Sequence, residues 1–398
     1  MRILIHDYAG HPFQVQLSRK LALRGHEVLH AYCGSISTPR GSLVKRPGDA
    51  ATFDVRGIDL GETIPKTGFY RRFQLESKYA GLLLDVCRDF RPEVVISGNT
   101  PSIPQSQLAH DCLRRGVRHV FWVQDVYGVA AYKLLKKRLP VVGHAVGRYF
   151  MHLDRGSALN SDAMVVISDD FRPLFERWGV DPARMHVVHN WAVLDELPQR
   201  PRDNAWSRKH ALSDEPRLIY TGTLAMKHNP ALLLELAKLC DQRNAGEMIV
   251  VSEGGGVDWL RAEAARQGIR RLRTMGFLPF EEMADCLGAA DALVAILEPD
   301  AGAFSVPSKV LTYLCAGRAL LAAMPLENLA ARIIAEQGAG VVTPPDDLAG
   351  FRSAAAALLD DPIRLASCGA AARRYAEEHF DVERIADRFE GILAGRKA

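Results

Sequence analysis

Short apolar runs alternate with helical patterns along the whole chain, and this alternation starts twice. The first series opens with RILIHDY at residues 2–8, and the second opens with RLIYTG at residues 217–222. Buried runs that alternate with helices indicate parallel strands joined by crossover helices. The sequence therefore predicts an α/β protein with two Rossmann-like domains, whose parallel sheets face each other across a cleft.

A stretch rich in proline and charge separates the two series. We place a linker at residues 198–216, between an N-terminal domain at 1–197 and a C-terminal domain at 217–362. Residues 363–398 have a helical pattern, and we expect these helices to pack back on the first domain.

Composition narrows the class of protein. Hydrophobic residues make up 48% of the chain and charged residues 24%, as in soluble globular proteins. No apolar run approaches the roughly 18 residues that span a bilayer, and MRILIHDYAGHP enters a strand pattern at once, unlike a secretory signal. The seven cysteines form no C-x-x-C pair, which argues against a disulfide framework or a zinc ribbon. We expect a cytoplasmic protein.

A basic segment in the first half suggests a membrane surface. The net charge of +3 combines an excess of Lys and Arg in residues 1–190 with an excess of Asp and Glu in residues 191–398. Around Pro140 the pattern is helical, and apolar residues alternate there with Lys133, Lys136, Lys137 and Arg138. This composition suits peripheral contact with anionic lipid on the inner face of the cell membrane and a lipid-pyrophosphate acceptor. An ordinary solvated helix packed on the sheet is the alternative. Nucleic acid is disfavoured, because no aromatic residues are interleaved with the cations.

One lysine occupies an unusual place in a predicted helix. In FSVPSKVLTYLCAG, residues 304–317, Pro307 and Ser308 are typical of a helix start, and Gly317 ends the apolar pattern. Lys309 then lies in the first turn, where the helix dipole is positive, which costs energy unless an anion is near. The anion would be a ligand, or else Glu298 or Asp300.

Three loops of the second half follow predicted strands. They read YTGTLAMKHN, VVSEGGGVDW and ILEPDAGAFSVPSK, and each combines glycine with polar residues. Ligands of doubly wound sheets bind beyond the carboxyl ends of the strands, where backbone amides approach phosphate. Gly222 and Thr223 would present amides there, and Lys227 a positive charge. Alternatively, Lys227 is a solvated loop lysine.

These motifs together resemble the retaining GT-B glycosyltransferases of family 4. Within that family the sequence is similar to the branch that builds bacterial surface polysaccharides, such as the colanic acid and fucosamine transferases. The resemblance is carried by DYAGHPF, VVHNW, YTGTLAMK, MGFLPFEEMADCLGAADALVAIL and VPSKVLTYLCAG. It implies transfer of a hexosyl or N-acetylhexosaminyl group, with retention, from a UDP-sugar to a saccharide or a polyprenyl-pyrophosphate-linked acceptor.

The resemblance also implies where the substrates bind. The nucleotide would lie mainly on the second domain and the acceptor on the first. Lys227 and Lys309 would act in catalysis by stabilising the charge that develops on the β-phosphate. The donor would contact Gly10, Gly222, Thr223, Phe277, Leu278, Glu298, Ser308 and Thr312. His11 and Asp125 would contact the acceptor, although a structural role fits these two residues, and a plain turn fits Gly10, equally well.

The sequence departs from the family pattern at two places. The glutamates of the family's E-x7-E motif would fall at Phe304 and Thr312, and the arginine of its GRL motif would fall at Thr223. Glu298 is the candidate substitute for a missing glutamate, and Lys309 would compensate for the missing arginine. A homologue without activity therefore stays open.

No motif for a metal or a further cofactor is present. The chain lacks D-x-D, G-x-G-x-x-G and G-x-x-x-x-G-K-[ST], so we expect a metal-independent enzyme whose nucleotide is a substrate. Two other hypotheses remain. A UDP-sugar 2-epimerase would need additional acids and histidines at the site, and a non-catalytic nucleotide-sugar-binding protein would explain the missing glutamates.

Overall fold

The computed structural model describes five stretches of the chain, namely residues 1–36, 43–65, 68–138, 141–299 and 307–395. Within these stretches, no helix is long and apolar enough to cross a membrane.

The chain forms two compact units. Met1–Asn190 and Val382–Ala398 make up the first unit, and Trp191–Asp381 makes up the second. The chain therefore passes from one unit to the other twice.

The stretch expected to be a linker, residues 198–216, lies inside the second unit. It contains a short helix, Ala205–Lys209, which is capped by the side chain of Asn204. Arg202 Nε donates a hydrogen bond of 2.9 Å to Asp291 Oδ1. The helix and the ion pair order this stretch locally. Its many prolines and charged residues do not predict that order.

The first unit is built on a seven-stranded sheet in which every neighbouring pair is parallel. Its strands are β1 (Arg2–Asp7), β2 (Glu27–Cys33), β3 (Phe53–Ile58), β4 (Val94–Gly98), β5 (Arg118–Val123), β6 (Ala163–Val166) and β7 (Met185–Val187). They lie in the order β3-β2-β1-β4-β5-β6-β7. Strand β4 is fully buried, and β1 and β5 are buried after their first residue, as expected for a parallel sheet that is covered on both faces.

The second unit is built on a six-stranded parallel sheet. Its strands are β8 (Arg217–Thr221), β9 (Glu247–Val251), β10 (Leu272–Met275), β11 (Ala292–Ile296), β12 (Ala319–Ala323) and β13 (Gly340–Thr343). Their order, β10-β9-β8-β11-β12-β13, is that of a doubly wound Rossmann sheet. The prediction of two parallel α/β domains is confirmed.

Helices connect the strands of both sheets. In the first unit they are α1 (Pro12–Leu23), α2 (Phe69–Phe90), α3 (Ser102–Arg115), α4 (Tyr127–Arg138), α5 (Val142–Leu159) and α6 (Arg172–Arg177). In the second unit they are α7 (Ala205–Lys209), α8 (Ala231–Arg243), α9 (Gly255–Arg266), α10 (Phe280–Gly288), α11 (Ser308–Ala316), α12 (Leu329–Glu336), α13 (Leu348–Leu359) and α14 (Pro362–His379). A last helix, α15 (Val382–Leu393), follows.

Each sheet has one point at which the strand order reverses. In the first sheet this point lies between β1 and β4, and in the second between β8 and β11. Neighbouring loops there leave the sheet in opposite directions, which opens a crevice beyond the carboxyl ends of the strands. This is where a ligand of either sheet is expected.

Helices α4 and α5 pack with their backbones close together, because glycines lie at the crossing. A Cβ atom added to Gly128 would lie 2.7 Å from the carbonyl oxygen of Phe150, and one added to Gly147 would lie 2.6 Å from the Cα of Tyr132. No larger residue fits at either position without moving a helix. The basic segment is therefore a tight pair of helices.

The C-terminal helices divide between the two units. Helix α14 packs on α11 and β12 of the second unit, whereas α15 packs on α1 of the first. The guanidinium of Arg24, directly after α1, binds the carboxylates of Glu383 and Asp387 at 2.7 Å. The ring of Phe389 lies 4.8 Å from that of Trp122 on β5. Helix α15 therefore belongs to the first unit and α14 to the second.

Candidate active site

The predicted donor residues of the second unit gather where its strand order reverses. The loop after β8 carries Gly222, Thr223 and Lys227, and Glu298 follows β11. Helix α11, which carries Lys309, packs on β11. Loops that are far apart in sequence thus supply one site.

Lys309 is held by an aromatic side chain. Its Nζ donates a hydrogen bond of 2.7 Å to the hydroxyl of Tyr220, and it lies 3.9 Å from the centroid of the same ring. Burial lowers the pKa of Lys309 to about 7, although Glu298 opposes this shift. The side chain thus occupies a place where a bound anion would restore its charge.

Lys227 is paired with Glu298, the carboxylate that the sequence offered as a possible partner of Lys309. Its Nζ lies 2.7 Å from Glu298 Oε1, although 66% of the Lys227 side chain is exposed. Nε2 of His228 lies 3.6 Å from the other oxygen of Glu298. Burial lowers the pKa of His228, and Lys227 adds to the effect while Glu298 opposes it. Asp300, the other suggested partner of Lys309, lies outside the described residues.

The expectation that Gly222 presents its amide to a ligand is wrong. That amide donates a hydrogen bond of 3.1 Å to the carbonyl of Val251 on the neighbouring strand β9. Gly222 instead provides space, since its φ is +97° and an added Cβ would lie 3.6 Å from Lys309 Nζ. The amide of Thr223 has no partner among the described residues, and its carbonyl accepts a bond of 2.9 Å from Tyr220.

Helix α11 begins at Ser308 and is followed by Gly317 with φ of +65°, as the sequence predicts. Ser308 is exposed, and within the described part of the chain nothing accepts from the amides of Ser308 and Lys309. The hydroxyl of Thr312 donates to the Ser308 carbonyl at 3.2 Å. Thr312 thus has an intrahelical bond, and only its lone pairs remain for a ligand.

Phe277 and Leu278 follow β10, at the same edge of the sheet. The amide of Phe277 donates to Glu253 Oε1 at 3.2 Å, and 52% of the residue is exposed. Leu278 is half-buried. An exposed aromatic ring beyond a strand end is a suitable surface for a flat ring of a ligand.

In the first unit, the loop after β1 holds His11 in one orientation. Asp7 is buried, and its Oδ1 lies 3.2 Å from His11 Nδ1, while its Oδ2 accepts from the His11 amide. Burial opposes the ionisation of both groups, yet their mutual attraction raises the pKa of His11 and lowers that of Asp7. Gly10, with φ of +78°, makes the turn that brings the loop back to Asp7. Among the described residues nothing bonds His11 Nε2, which remains for a ligand.

Asp125 follows β5 and is exposed, but the surrounding protein still desolvates its carboxylate. This raises the pKa of Asp125, while the nearby His11 opposes the shift. Beside it, Gln124 Oε1 accepts a hydrogen bond of 2.6 Å from Asn190. The two predicted acceptor residues therefore lie on loops at the same edge of one sheet, after β1 and after β5.

Sequence reasoning missed three residues that shape these sites. Tyr220 belongs to the predicted strand RLIYTG and is not singled out there, and neither are His228 and Asp7. The signal for Asp7 was available, since a carboxylate that ends a buried strand needs a partner. No sequence signal indicates that the Tyr220 hydroxyl bonds Lys309.

Both halves match known glycosyltransferase domain families. Residues 11–191 match the family described as "Glycosyl transferase 4-like domain". Residues 215–361 match "Glycosyl transferases group 1". The chain is a glycosyltransferase.

Two curated proteins are similar to this glycosyltransferase. The probable glycosyltransferase WbjE of Pseudomonas aeruginosa is 26% identical over 301 residues, which cover 73% of this chain and 71% of WbjE. The GDP-mannose-dependent monoacylated alpha-(1-6)-phosphatidylinositol monomannoside mannosyltransferase of Corynebacterium glutamicum is 24% identical, over 63% of this chain and 68% of that protein.

Solved structures establish the fold of the glycosyltransferase. Sucrose-phosphate synthase from Thermosynechococcus elongatus matches with a TM-score of 0.73 and 16% identity, covering 99% of this chain and 98% of that one. HepE of Anabaena, solved in complex with UDP, matches with a TM-score of 0.71 and 14% identity, covering 99% and 100%. The two Rossmann-like domains are those of a GT-B glycosyltransferase.

Proposed function

We propose that this glycosyltransferase moves a sugar, with retention, from a UDP-sugar to a saccharide or a polyprenyl-pyrophosphate-linked acceptor during synthesis of a cell-surface polysaccharide. One observation carries the donor part of this proposal. At the reversal point of the second sheet, Lys309 is partly buried and bonds only a neutral hydroxyl among the described residues. A diphosphate is the anion that such a site accommodates.

The proposed chemistry uses these cations in the transition state. The bond between the anomeric carbon and the leaving oxygen breaks, and the nucleoside diphosphate keeps the electron pair. Negative charge then grows on the β-phosphate, next to Lys309, Lys227 and the first amides of α11. Contacts that strengthen as charge develops lower the barrier rather than only binding the substrate.

Lys227 would change partners when the donor binds. Its ammonium now lies 2.7 Å from Glu298 on the loop after β11. Because most of Lys227 is exposed, this ion pair holds it weakly. Glu298 would then keep His228 as its partner or accept from a hydroxyl of the donor. Glu298 is thus the proposed replacement for the family glutamates that are missing at Phe304 and Thr312; position 304 lies outside the described residues.

The first unit would hold the acceptor. His11 is oriented by buried Asp7, and Asp125, on the loop after β5, has a raised pKa. A base held by a second group is the usual arrangement for binding and deprotonating a hydroxyl. We propose that the acceptor hydroxyl hydrogen-bonds His11 Nε2 or Asp125 and loses its proton there.

The base of the nucleotide is inferred as uracil. Support comes from HepE of Anabaena, which was solved with UDP and with UDP-glucose. The mannosyltransferase of C. glutamicum, which is named as GDP-mannose-dependent, makes GDP-sugars the second candidate. Exposed Phe277 would stack on either base.

We further propose that no metal is needed, because two lysines supply the positive charge that a divalent cation would otherwise bring. Within the described residues, no three His, Cys, Asp or Glu side chains are grouped as metal ligands. Binding should therefore persist in EDTA. Loss of UDP binding after chelation, with recovery on adding Mg²⁺ or Mn²⁺, would contradict this part of the proposal.

Peripheral membrane association is the proposed location. Lys133, Lys136 and Lys137 on α4 are exposed, and so is Leu134 between them. Val142, at the start of α5, is 62% exposed. Cations beside exposed apolar side chains form the composition that binds an anionic lipid surface.

The test begins with a thermal-shift screen of UDP- and GDP-sugars in EDTA. The stabilising donor is then incubated with saccharide and polyprenyl-pyrophosphate acceptors, and NMR follows the anomeric configuration of the product. Release of UDP with an axial donor linkage kept in the product supports the proposal. Conversion of the UDP-sugar into its C2 isomer would instead identify an epimerase, and binding without turnover a non-catalytic homologue.

A further inference from the structure

A pocket lies in the first unit between helices α2, α3, α4 and α5. It encloses about 260 Å³. An apolar cavity of about 150 Å³ is large enough to bind benzene, so this pocket has room for a longer hydrocarbon segment. All of its lining residues belong to the first unit, so the pocket is not part of the lysine site described above.

Most of the pocket wall is apolar. Phe73 of α2, Leu134 and Leu135 of α4, and Phe150 of α5 line it, together with two alanines of α4. A saccharide would find few hydrogen-bond partners along such a wall, whereas a hydrocarbon chain gains free energy by leaving water there. The wall therefore favours an apolar occupant.

One end of the pocket carries a cation. Arg72 Nε donates a hydrogen bond of 2.6 Å to Glu76 Oε1, and both residues line the pocket. Glu76 is buried, whereas 42% of the Arg72 side chain is exposed. Within the described ranges, no acceptor contacts the Nη atoms of Arg72, which leaves its fork available for phosphate oxygens.

The cationic end lies near the predicted acceptor residues. Tyr127 lines the pocket. It comes two residues after Asp125, in the segment that follows β5. Pro101 and Ser102, which also line it, follow β4. The pocket wall thus reaches the edge of the sheet where an acceptor hydroxyl is expected to bind.

The apolar side of the pocket is open to solvent. Phe73 and Leu134 are 37% and 53% exposed although they line the pocket. Tyr70, one helical turn before Phe73, is 73% exposed. Exposed apolar side chains that lead into an apolar pocket form an entry path for a chain that comes from a membrane.

We infer that this pocket holds the first part of the hydrocarbon chain of a lipid-linked acceptor, with the adjoining phosphate on Arg72. The inference rests on the proposed transferase function and specifies its acceptor as an anionic amphiphile. The chain anchors the lipid, the arginine binds its phosphate, and the saccharide beyond the phosphate reaches His11 and Asp125. A soluble saccharide alone would leave the pocket unused.

Binding of farnesyl phosphate, farnesol and inorganic phosphate to the full chain tests the inference by calorimetry. Farnesyl phosphate should bind at least about tenfold more tightly than either farnesol or phosphate, because it fills both ends of the pocket. Ala131→Phe, which fills the pocket from α4, should abolish binding of farnesyl phosphate and farnesol. Leu134→Gln, at an exposed position that tolerates a polar side chain, should weaken both about tenfold.

The double variant Arg72→Gln, Glu76→Gln removes the phosphate site without leaving a buried unpaired carboxylate. It should bind farnesyl phosphate no better than farnesol. Thermal unfolding of every variant reports folding, and UDP affinity reports the donor site of the second unit separately. Two outcomes would overturn the inference while the proposed function stands. In the first, the wild type binds UDP but not farnesyl phosphate. In the second, Ala131→Phe binds farnesyl phosphate as well as the wild type does. If UDP and UDP-sugars fail to bind the wild type, the proposed function itself fails.

Discussion

The ammonium of Lys309 donates to the hydroxyl of Tyr220 at 2.7 Å, and that hydroxyl in turn donates to the carbonyl of Thr223 at 2.9 Å. Because the Tyr220 proton is used by Thr223, the lone pairs of its oxygen face the lysine. This chain of two bonds fixes Lys309 before any ligand arrives. A donor that is already in place needs no reorganisation when charge develops on a leaving group.

Lys309→Ala should lower turnover far more than it lowers stability. Removing one preorganised donor to a developing oxyanion typically costs about 3–4 kcal/mol, on the order of a hundred- to thousandfold in rate. Folding should not suffer, because the Lys309 ammonium costs free energy in the free protein. It is desolvated, and it lies at the positive end of the α11 dipole. Initial rates and thermal unfolding of the same preparations check this. Normal activity per folded molecule would return Lys309 to a structural role.

Binding of UDP at pH 8 should take up a proton. The pKa of Lys309 is lowered to about 7, so at pH 8 the free protein holds mostly the neutral amine, and the diphosphate should restore its charge. Calorimetry in two buffers of different ionisation enthalpy measures the uptake. It should vanish in Lys309→Ala and persist in Lys227→Ala, because no comparable burial surrounds the exposed Lys227. Equal uptake in the two variants would rule out Lys309 as the group that titrates.

Asp7→Asn should lower the pKa of His11 and destabilise the first unit by about 1–3 kcal/mol, since Asp7 accepts hydrogen bonds from backbone amides as well as from the ring. The raised pKa of His11 gives stability that is complete below about pH 6.5 and lost as pH rises through that raised value. The lowered pKa of Asp7 gives stability that is present above about pH 3.8 and lost at lower pH. The stability difference between wild type and variant should therefore be largest between these limits. NMR titration of His11 and urea unfolding at several pH values measure both effects, and an unchanged His11 titration would contradict the pairing.

Replacing Lys133, Lys136, Lys137 and Arg138 by Gln should release the protein from anionic vesicles. Each cation near such a surface is worth about 1 kcal/mol. Co-sedimentation with vesicles that contain phosphatidylserine measures the effect, and neutral phosphatidylcholine vesicles serve as the control. The side chain of Arg138 lies outside the described residues, so a variant of the three lysines alone is the stricter comparison. Equal sedimentation of wild type and variant would remove the membrane proposal.

Gly147→Ala should destabilise the α4–α5 pair, whereas Gly156→Ala on the same helix should not. The added Cβ at position 147 would lie 2.6 Å from the Cα of Tyr132, but at position 156 it meets nothing within 4 Å. Overpacking costs about 1–3 kcal/mol, whereas a free helical position gains about 0.5–1 kcal/mol from Ala. Thermal unfolding of the two variants should therefore shift in opposite directions. Similar shifts would show that α4 is free to move.

The strands RILIHDY and RLIYTG are predicted because they are apolar runs, whereas three strands at sheet edges, β3, β7 and β13, are not predicted from the sequence. β3 reads FDVRGI and exposes three of its residues, so it shows no buried run. β7 has only three residues, and β13 lies at the other sheet's edge. An edge strand needs less apolar surface than a central one, and local pattern therefore cannot reveal it.

The sequence predicts which loops form the site, but it does not predict which side chains pair within it. The loops after β8 and β11 were expected to meet, since strand order alone brings them together. The choice of Lys227 rather than Lys309 as the partner of Glu298 depends on side-chain directions that the sequence does not contain. The hydrogen bond from the Gly222 amide to Val251 depends on the register of β8 and β9, which the sequence does not show. The sequence therefore left this amide available for a ligand.

The last helix has a consequence for how this chain becomes a protein. Helix α15 completes the first unit, and its Phe389 packs against Trp122 of β5, yet the whole second unit, Trp191–Asp381, is synthesised between them. A ribosome-bound first unit thus waits with the α15-facing side of α1 and β5 uncovered until residues 382–393 have emerged. The second unit has no such dependence and is free to fold first, reversing the usual order from the amino terminus onward.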